Sequence, residues 1–161
     1  MTQPARANMK QRADPLFGQF RLDDYPFYLV SQASDQYVRR MERVLKAIGM
    51  DLPSWRTLML LNEKSPRSVS EIAGLAVIKV PTMMKALQRM QRRELVTIAQ
   101  GRQDARVTEV HVTAKGLEGV GRIRRVASRI YNQAFHHFTP AEIRDLNATL
   151  VRILENLTES G

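Results

Sequence analysis

The chain contains no cysteine, which excludes a disulfide framework, a thiolate metal site and thiol-based peroxide sensing. It also contains no run approaching about 18 uninterrupted apolar residues, the length that a membrane-spanning helix needs. The opening segment, MTQPARANMKQR, lacks the apolar core of a signal peptide. We therefore expect a soluble, cytoplasmic protein with no membrane-embedded segment.

Motifs of catalysis and metal binding are also missing. The sequence has no glycine-rich phosphate loop and no serine in a nucleophile-elbow context, so we expect neither an enzyme nor a cofactor. His136 and His137 are neighbours, but adjacent positions on a helix diverge by about 100°. No metal site is therefore expected there, and His111, on a predicted strand, is expected to be structural.

The sequence has fewer acidic than basic residues. The 16 Asp and Glu are outnumbered by 25 Lys and Arg, which leaves a net charge of +9. This excess favours an anionic partner, with nucleic acid ahead of a membrane surface. A chain of 161 residues can form one domain with a core, or one protomer of an intertwined dimer, and we expect no second domain.

The basic residues are dense between residues 79 and 113. Met83, Leu87 and Met90 recur at helical spacing, which predicts a helix with one packed face and one free, basic face. Two β-like runs follow, residues 95–100 and 107–112, with GRQDAR between them. The pattern predicts a basic helix followed by a basic hairpin, although a charge run taken alone is more often a solvated face.

The hairpin carries a recognisable motif. Asp104-Ala105-Arg106 is followed by a strand and then by Val112-Thr113-Ala114-Lys115-Gly116. This arrangement resembles the winged helix-turn-helix of MarR-family transcriptional regulators, and the likeness runs from about residue 31 to 157. Glu94 departs from the glycine usual in that family. The segment LDDYPFYLVSQAS is faintly similar to regulators of aromatic-acid or nicotinate catabolism.

The resemblance implies a mainly α fold with a small β-hairpin wing. We expect a flexible basic tail at 1–22, dimerisation helices at 23–50 and 114–158, and a winged helix-turn-helix at 51–113. Helix starts are predicted at four capping residues: Asp51, Ser68, Thr113 and Thr139. The last helix has an apolar stripe that needs a partner, which predicts a homodimer.

The free face of the basic helix is the predicted DNA-binding surface. Thr82, Lys85 and Arg89 are placed to meet a major groove, and Pro81 and Met84 to contact thymine methyl groups. By resemblance, Arg102 or Arg106 enters the minor groove. Asp104 is expected to orient Arg106 or to pair with another arginine, because phosphates repel a carboxylate. The complete set is Lys79, Pro81, Thr82, Met84, Lys85, Gln88, Arg89, Arg92, Arg102 and Arg106.

The resemblance also implies a small aromatic carboxylate or phenolic effector, bound between the dimer helices and the winged region. The candidate residues supply aromatic walls, an adaptable methionine and cations: Tyr37, Trp55, Met59, Arg125 and Arg129. Core packing is the alternative reading of the first three.

The sequence therefore predicts a homodimeric repressor that binds double-stranded DNA at a pseudo-palindromic operator and is released by the effector. The main alternative is a non-specific basic nucleic-acid-binding protein, associated with the nucleoid or with RNA. A peripheral membrane module using residues 113–138 ranks last, because that helix holds three glycines and no tryptophan.

Overall fold

The computed structural model describes residues 8–101 and 104–159. These residues form a mainly helical fold with one three-stranded antiparallel sheet, as the sequence predicts. The chain divides into two compact units, Met1–Ala127 and Ser128–Gly161. The first unit contains the helix-turn-helix and the sheet, and the second contains the end of one long helix and the whole of the next.

The elements follow in chain order, with a single 3-10 turn at Leu22–Asp24. They are α1 Met9–Arg12, α2 Pro26–Ala47, α3 Leu52–Glu63, β1 Arg67–Ser68, α4 Val69–Leu75, α5 Val80–Arg92, β2 Val96–Gln100, β3 Thr108–Val112, α6 Ala114–Ala134 and α7 Pro140–Glu159.

Side-chain caps begin four of these helices where the sequence predicts. The Asp51 carboxylate accepts from the Ser54 amide at 2.9 Å, and the Ser68 hydroxyl accepts from the Glu71 amide at 3.1 Å. The hydroxyls of Thr113 and Thr139 accept in the same way at the starts of α6 and α7. Each cap satisfies an amide that would otherwise lack a partner in the first turn.

The amino-terminal segment is more regular than predicted. Where the sequence suggests a flexible tail to residue 22, the described part from Asn8 contains α1, closed by reciprocal hydrogen bonds between Asn8 and Gln11. Arg12 then forms an ion pair with Asp24 at 3.1 Å. A four-residue helix is too short to show a hydrophobic period, so the pattern misses it. Residues 1–7 lie outside the described residues.

The sheet has the order β1-β3-β2. The predicted hairpin is confirmed as β2 and β3, which pair from Val96 with Val112 to Gln100 with Thr108. β1 is an addition, since the sequence Ser65-Pro66-Arg67 by itself indicates only a turn. Arg67 pairs with Val110 on the other side of β3. A two-residue strand is defined by its partner rather than by its own sequence.

The core of the first unit fixes the position of α5. Met83, Leu87 and Met90 are fully buried, which confirms the predicted packed face. Buried side chains from the neighbouring elements complete the core: Met41, Leu45, Leu58, Leu61, Ile72, Val110 and Ile123. Each such side chain contributes on the order of 1.5–3 kcal/mol by leaving water. The opposite face of α5 is therefore held outward by a firmly packed helix.

The turn after α5 explains the Thr-x-x-Gly motif. Glu94 adopts a φ of 61°, the left-handed conformation for which the family's usual glycine is suited. The Thr113 hydroxyl donates to the Glu94 carbonyl at 2.6 Å, and the Lys115 ammonium pairs with the Glu94 carboxylate at 2.7 Å. A Cβ on Gly116 would lie well inside van der Waals contact of the Leu95 carbonyl oxygen. α6 can therefore start so close to this turn only with glycine at 116.

Candidate nucleic-acid interface

The exposed face of α5 carries most of the predicted DNA-binding residues. With about 100° per residue, Pro81, Lys85, Gln88 and Arg92 lie opposite the buried stripe. Thr82 and Arg89 lie toward one side of this face and the half-buried Met84 toward the other. Lys79 is the exposed N-cap residue, and it has no side-chain cap hydrogen bond. A polar, basic strip with one apolar flank therefore runs along the outside of the helix.

Arg89 is held by an acid from another helix. Its Nη2 lies 3.1 Å from one Asp51 oxygen, while the other Asp51 oxygen caps α3. Burial by itself would raise the pKa of Asp51, but the hydrogen bonds from Ser54 and Arg89 outweigh it and lower that pKa below its ordinary value. Arg89 therefore meets an approaching base or phosphate only after leaving, or sharing, this carboxylate.

The wing ends in a tight, exposed turn. Gly101 donates to the Val107 carbonyl at 2.8 Å, and the Asp104 carboxylate accepts from the Arg106 amide at 2.9 Å. The same carboxylate lies 3.5 Å from the Arg106 Nε. The Arg106 side chain is 95% exposed, so its guanidinium extends into solvent beside an acid that restricts its orientation. Arg102 lies outside the described residues.

A cleft joins the wing to the helix-turn-helix. Its volume is about 510 Å³, and it is lined by Ser68, Val69, Ser70, Val80, Met84, Arg106, Val107 and Thr108. Met84 and Arg106 were predicted as DNA contacts, whereas the hydroxyls of Ser70 and Thr108 were not. Ser70 could have been noticed as a second serine in the first turn of α4. The cleft places polar hydrogen-bonding groups between the two predicted contact elements.

Tyr37 and Trp55, from the predicted effector set, are in contact. Their ring centroids lie 6.2 Å apart in an edge-to-face arrangement. Burial raises the pKa of the Tyr37 phenol, and the positive charge of Arg56 opposes that shift. The Trp55 Nε1 is buried and has no hydrogen-bond partner in the described part of the chain. A buried donor of this kind is costly unless something accepts from it.

The remaining predicted effector residues are Met59 of α3, and Arg125 and Arg129 of α6. Met59 lines a cleft of about 420 Å³ with Leu60, Asn62, Glu63 and Arg124. Arg125 and Arg129 are exposed on α6, and Arg129 belongs to the second unit. The cation whose charge acts on Tyr37 is Arg56, which sequence reasoning missed. Its position as a lone arginine in the apolar run WRTLMLL was an available signal, because a charge is rarely buried without a specific partner.

Arg56 and Arg67 both form hydrogen bonds with backbone carbonyls of the protein itself. The Arg56 Nη1 donates to the Ala76 carbonyl, at the end of α4, at 2.6 Å. Arg67 is only 10% exposed and donates to the Leu60 carbonyl at 3.2 Å, to Glu63 and to Glu71. The Glu71 carboxylate is bound to Arg67, so the cap at Ser68 consists of the bond from the Glu71 amide to the Ser68 hydroxyl. Part of the positive charge of the sequence is used for internal structure.

The histidine pair lies differently from the prediction. α6 ends at Ala134 rather than near Phe138, so His136 and His137 occupy the turn before α7. Their facing ring nitrogens are 3.2 Å apart, because the turn removes the divergence that a helix would impose. In residues 8–101 and 104–159 no group of three or more His, Asp or Glu side chains could hold a metal ion.

No helix in the described ranges is long and apolar enough to cross a bilayer.

Comparisons with known proteins agree with this architecture. The model of the MarR family matches residues 48–107, which cover the helix-turn-helix and reach the wing. The HTH-type transcriptional repressor IacR of Pseudomonas putida is 37% identical over 154 residues, 96% of this chain and 92% of that protein.

Solved structures share the fold. A MarR-family regulator from Silicibacter pomeroyi superposes with a TM-score of 0.77 at 25% identity, over 84% of this chain and 92% of that one. BpsR of Bordetella bronchiseptica, described in terms of regulation of its DNA binding by 6-hydroxynicotinic acid, gives 0.71 at 18% identity, over 88% and 98% of the two chains. The 37% identity to IacR extends over 96% of this chain, and the MarR family model matches part of the same stretch. This chain therefore belongs to the MarR family of transcriptional regulators.

Proposed function

We propose that this protein is a homodimeric repressor that binds a pseudo-palindromic operator and leaves it when a small aromatic or phenolic anion binds. The observation that carries the proposal is the outward face of α5, whose opposite face is anchored in the core beside an exposed arginine-bearing wing. This arrangement suits a helix in a major groove with a wing in the adjacent minor groove.

The contacts divide by the chemistry of the side chains. Thr82, Lys85 and Gln88 are suited to base edges, and Met84 offers an apolar surface for a thymine methyl group. Lys79 and Arg92 carry the charge expected of phosphate contacts, which give affinity without sequence preference. Arg106, and by its position in the sequence Arg102, is assigned to the minor groove. Arg89 contributes once it exchanges Asp51 for DNA.

The second unit supports the homodimer. The apolar stripe of α7 is exposed at Leu146, Val151, Leu154 and Leu157, which is more contiguous apolar surface than an isolated helix leaves in water. A two-fold axis would let the same stripe cover its copy. Two winged regions would then face two half-sites about one helical turn apart.

The effector is assigned to the Tyr37–Trp55 pair. Two aromatic rings, an indole N–H that has no partner among the described residues, and the charge of Arg56 would suit a ring that carries a carboxylate or a phenolate. The ligand named for BpsR, a hydroxylated pyridine carboxylate, belongs to this class. The effector must bind the released conformation more tightly than the operator-bound one, since only unequal affinity shifts the population.

Operator binding is tested by selection from fragmented genomic DNA against random competitor, across a salt series. A two-fold symmetric motif with a specificity ratio above about 1,000 is the expected result. A steep salt dependence without an enriched motif would instead support non-specific coating of nucleic acid and would end the repressor assignment.

Effector binding is tested through Trp55, the one tryptophan of the chain. Titration with benzoate, 4-hydroxybenzoate and 6-hydroxynicotinate should change its fluorescence and release the selected DNA over the same concentration range. Tyr37→Ala should weaken both effects, while the selected DNA remains bound without ligand. A ligand that releases DNA with no change in Trp55 emission would place the effector site elsewhere.

A further inference from the structure

The turn between α4 and α5 is held in an unfavourable backbone conformation. Val77 has a φ of 54°, in the left-handed region that a β-branched residue seldom enters. Its side chain is 86% exposed, so no burial of apolar surface compensates for the strain. Hydrogen bonds from the amides of Val77 and Ile78 to Gly74 and Ala73 close the turn from within. A contact from outside the turn would add to these bonds.

Arg56 supplies that contact. Its Nη1 donates at 2.6 Å to the carbonyl of Ala76, the residue immediately before Val77. A hydrogen bond from a charged donor is about twice as strong as a neutral one. It reaches from the middle of α3 to the turn, and α5 begins at Val80, three positions after Val77. A guanidinium group of α3 therefore holds the carbonyl that precedes the strained residue of this turn.

The same residue adjoins the aromatic pair. Trp55 is its neighbour in the chain, and the Trp55 ring meets Tyr37 edge to face. The positive charge of Arg56 acts to lower the pKa of the Tyr37 phenol, against the larger effect of burial, which raises it. Arg56 therefore contacts the turn that precedes α5 and is also next to Trp55 in the chain.

We propose that Arg56 is a positioning residue for DNA binding, which sets the start of α5 by holding the Ala76 carbonyl against the strained Val77 turn, and that it couples the Tyr37–Trp55 pair to that helix. The coupling rests on the effector site proposed above, while the positioning role stands without it. An anion at the aromatic pair would compete with Ala76 for the guanidinium and so loosen the first turn of α5, where Pro81 and Thr82 lie.

The positioning role is tested by a double-mutant cycle without any ligand. Arg56→Gln should weaken DNA binding by about tenfold, the size expected for loss of a charge-assisted hydrogen bond. Val77→Asn places in the turn a residue that tolerates positive φ, and it removes no packing because Val77 is exposed. In the Val77→Asn background the loss caused by Arg56→Gln should fall to about threefold or less, since the turn then needs less support.

Three controls make the cycle decisive. Arg39→Gln removes the same charge from an exposed position on α2 and should leave affinity within about twofold. Arg56→Lys keeps the charge and a donor and should recover part of the affinity, which also covers the case that Arg56→Gln does not fold. Affinity is measured for both the selected fragment and a random duplex of equal length. The cycle can then be evaluated even if the protein has no specific operator. Equal losses in both backgrounds, or no loss from Arg56→Gln, would overturn the proposal.

The coupling is tested by linkage, which works in both directions. Saturating the protein with the duplex should change the emission of Trp55 in the wild type, and the change should be absent in Arg56→Gln at equal saturation. An equal change in both proteins, or none in the wild type, would overturn coupling through Arg56. Failure of the effector proposal would give a different result. The protein would stay on the DNA when benzoate is added, while the losses in the Arg56→Gln and Val77→Asn cycle would still be non-additive.

Discussion

The Asp51 carboxylate shows how one residue serves two elements. One oxygen caps α3 through the Ser54 amide and the other holds Arg89 of α5. Asparagine caps a helix about as well as aspartate, but it carries no charge to hold an arginine. The two roles can therefore be separated by a single substitution.

We predict that the wild type and Asp51→Asn differ in stability above about pH 4 and converge below it. The folded state lowers the pKa of Asp51, so the stabilising effect is present above the unfolded-state pKa and is lost as the pH falls through the folded-state value. Urea unfolding from pH 7 to pH 2.5 measures this. A gap that stays constant through the acid range would mean that the charge of Asp51 contributes nothing.

The exposure of Arg106 leads to a second prediction at this scale. Arg106→Ala should weaken binding to both selected and random DNA, and lower the slope of log affinity against log salt by about one. Its melting temperature should be unchanged, because the side chain is 95% exposed and its ion pair with Asp104 lies at the surface. A loss confined to the selected sequence would show that Arg106 reads base identity and does not act mainly through its charge.

Among the elements, α6 depends most on one close approach. Its first turn lies against the turn after α5, where Gly116 meets the Leu95 carbonyl and where Val112 is also near. Gly121, further along α6, has open space around it. A side chain at position 116 would therefore clash with backbone, whereas one at position 121 would not.

We predict that Gly116→Ala destabilises the protein by roughly 2–4 kcal/mol, since the added Cβ displaces backbone and not a flexible side chain. Gly121→Ala should instead stabilise it by about 0.5–1 kcal/mol through helix propensity alone. Chemical denaturation of both variants gives the comparison. Similar stabilities for the two would contradict the close packing of α6 on this turn.

Prediction of elements from the sequence succeeded where the signal is local. The starts of α3 and α7 follow from Asp51 and Thr139, whose caps need only the next three residues. β1 exists because β3 lies beside it, and the turn at Val77 is left-handed although nothing in its own sequence favours that conformation. The Arg56–Ala76 bond joins residues twenty positions apart, and no period or motif encodes it. The sequence predicts the candidate site as a basic face. It does not predict the ion pair of Arg89 with Asp51 or the bond from Arg56 to Ala76.

For the whole molecule, the exposed stripe of α7 predicts the assembly state. Leu154→Glu, at a position 64% exposed in the single chain, should shift sedimentation from a dimer toward a monomer and weaken binding to a two-fold symmetric site. Arg152→Glu adds the same side chain on the opposite face of α7 and should leave the dimer intact. A dimer that persists in Leu154→Glu would move the interface away from this stripe.

The internal pairing of Arg67 bears on how fast the protein finds DNA. By binding Glu63 and Glu71, this one guanidinium offsets part of the negative charge of two carboxylates that would otherwise repel an approaching polyanion more strongly. The electric field at a distant duplex is then set more by the lysines and arginines of α5 and by Arg106 of the wing. Such a field acts on diffusional encounter before any contact forms. Added salt should therefore slow the association rate far more than it changes the lifetime of the bound complex.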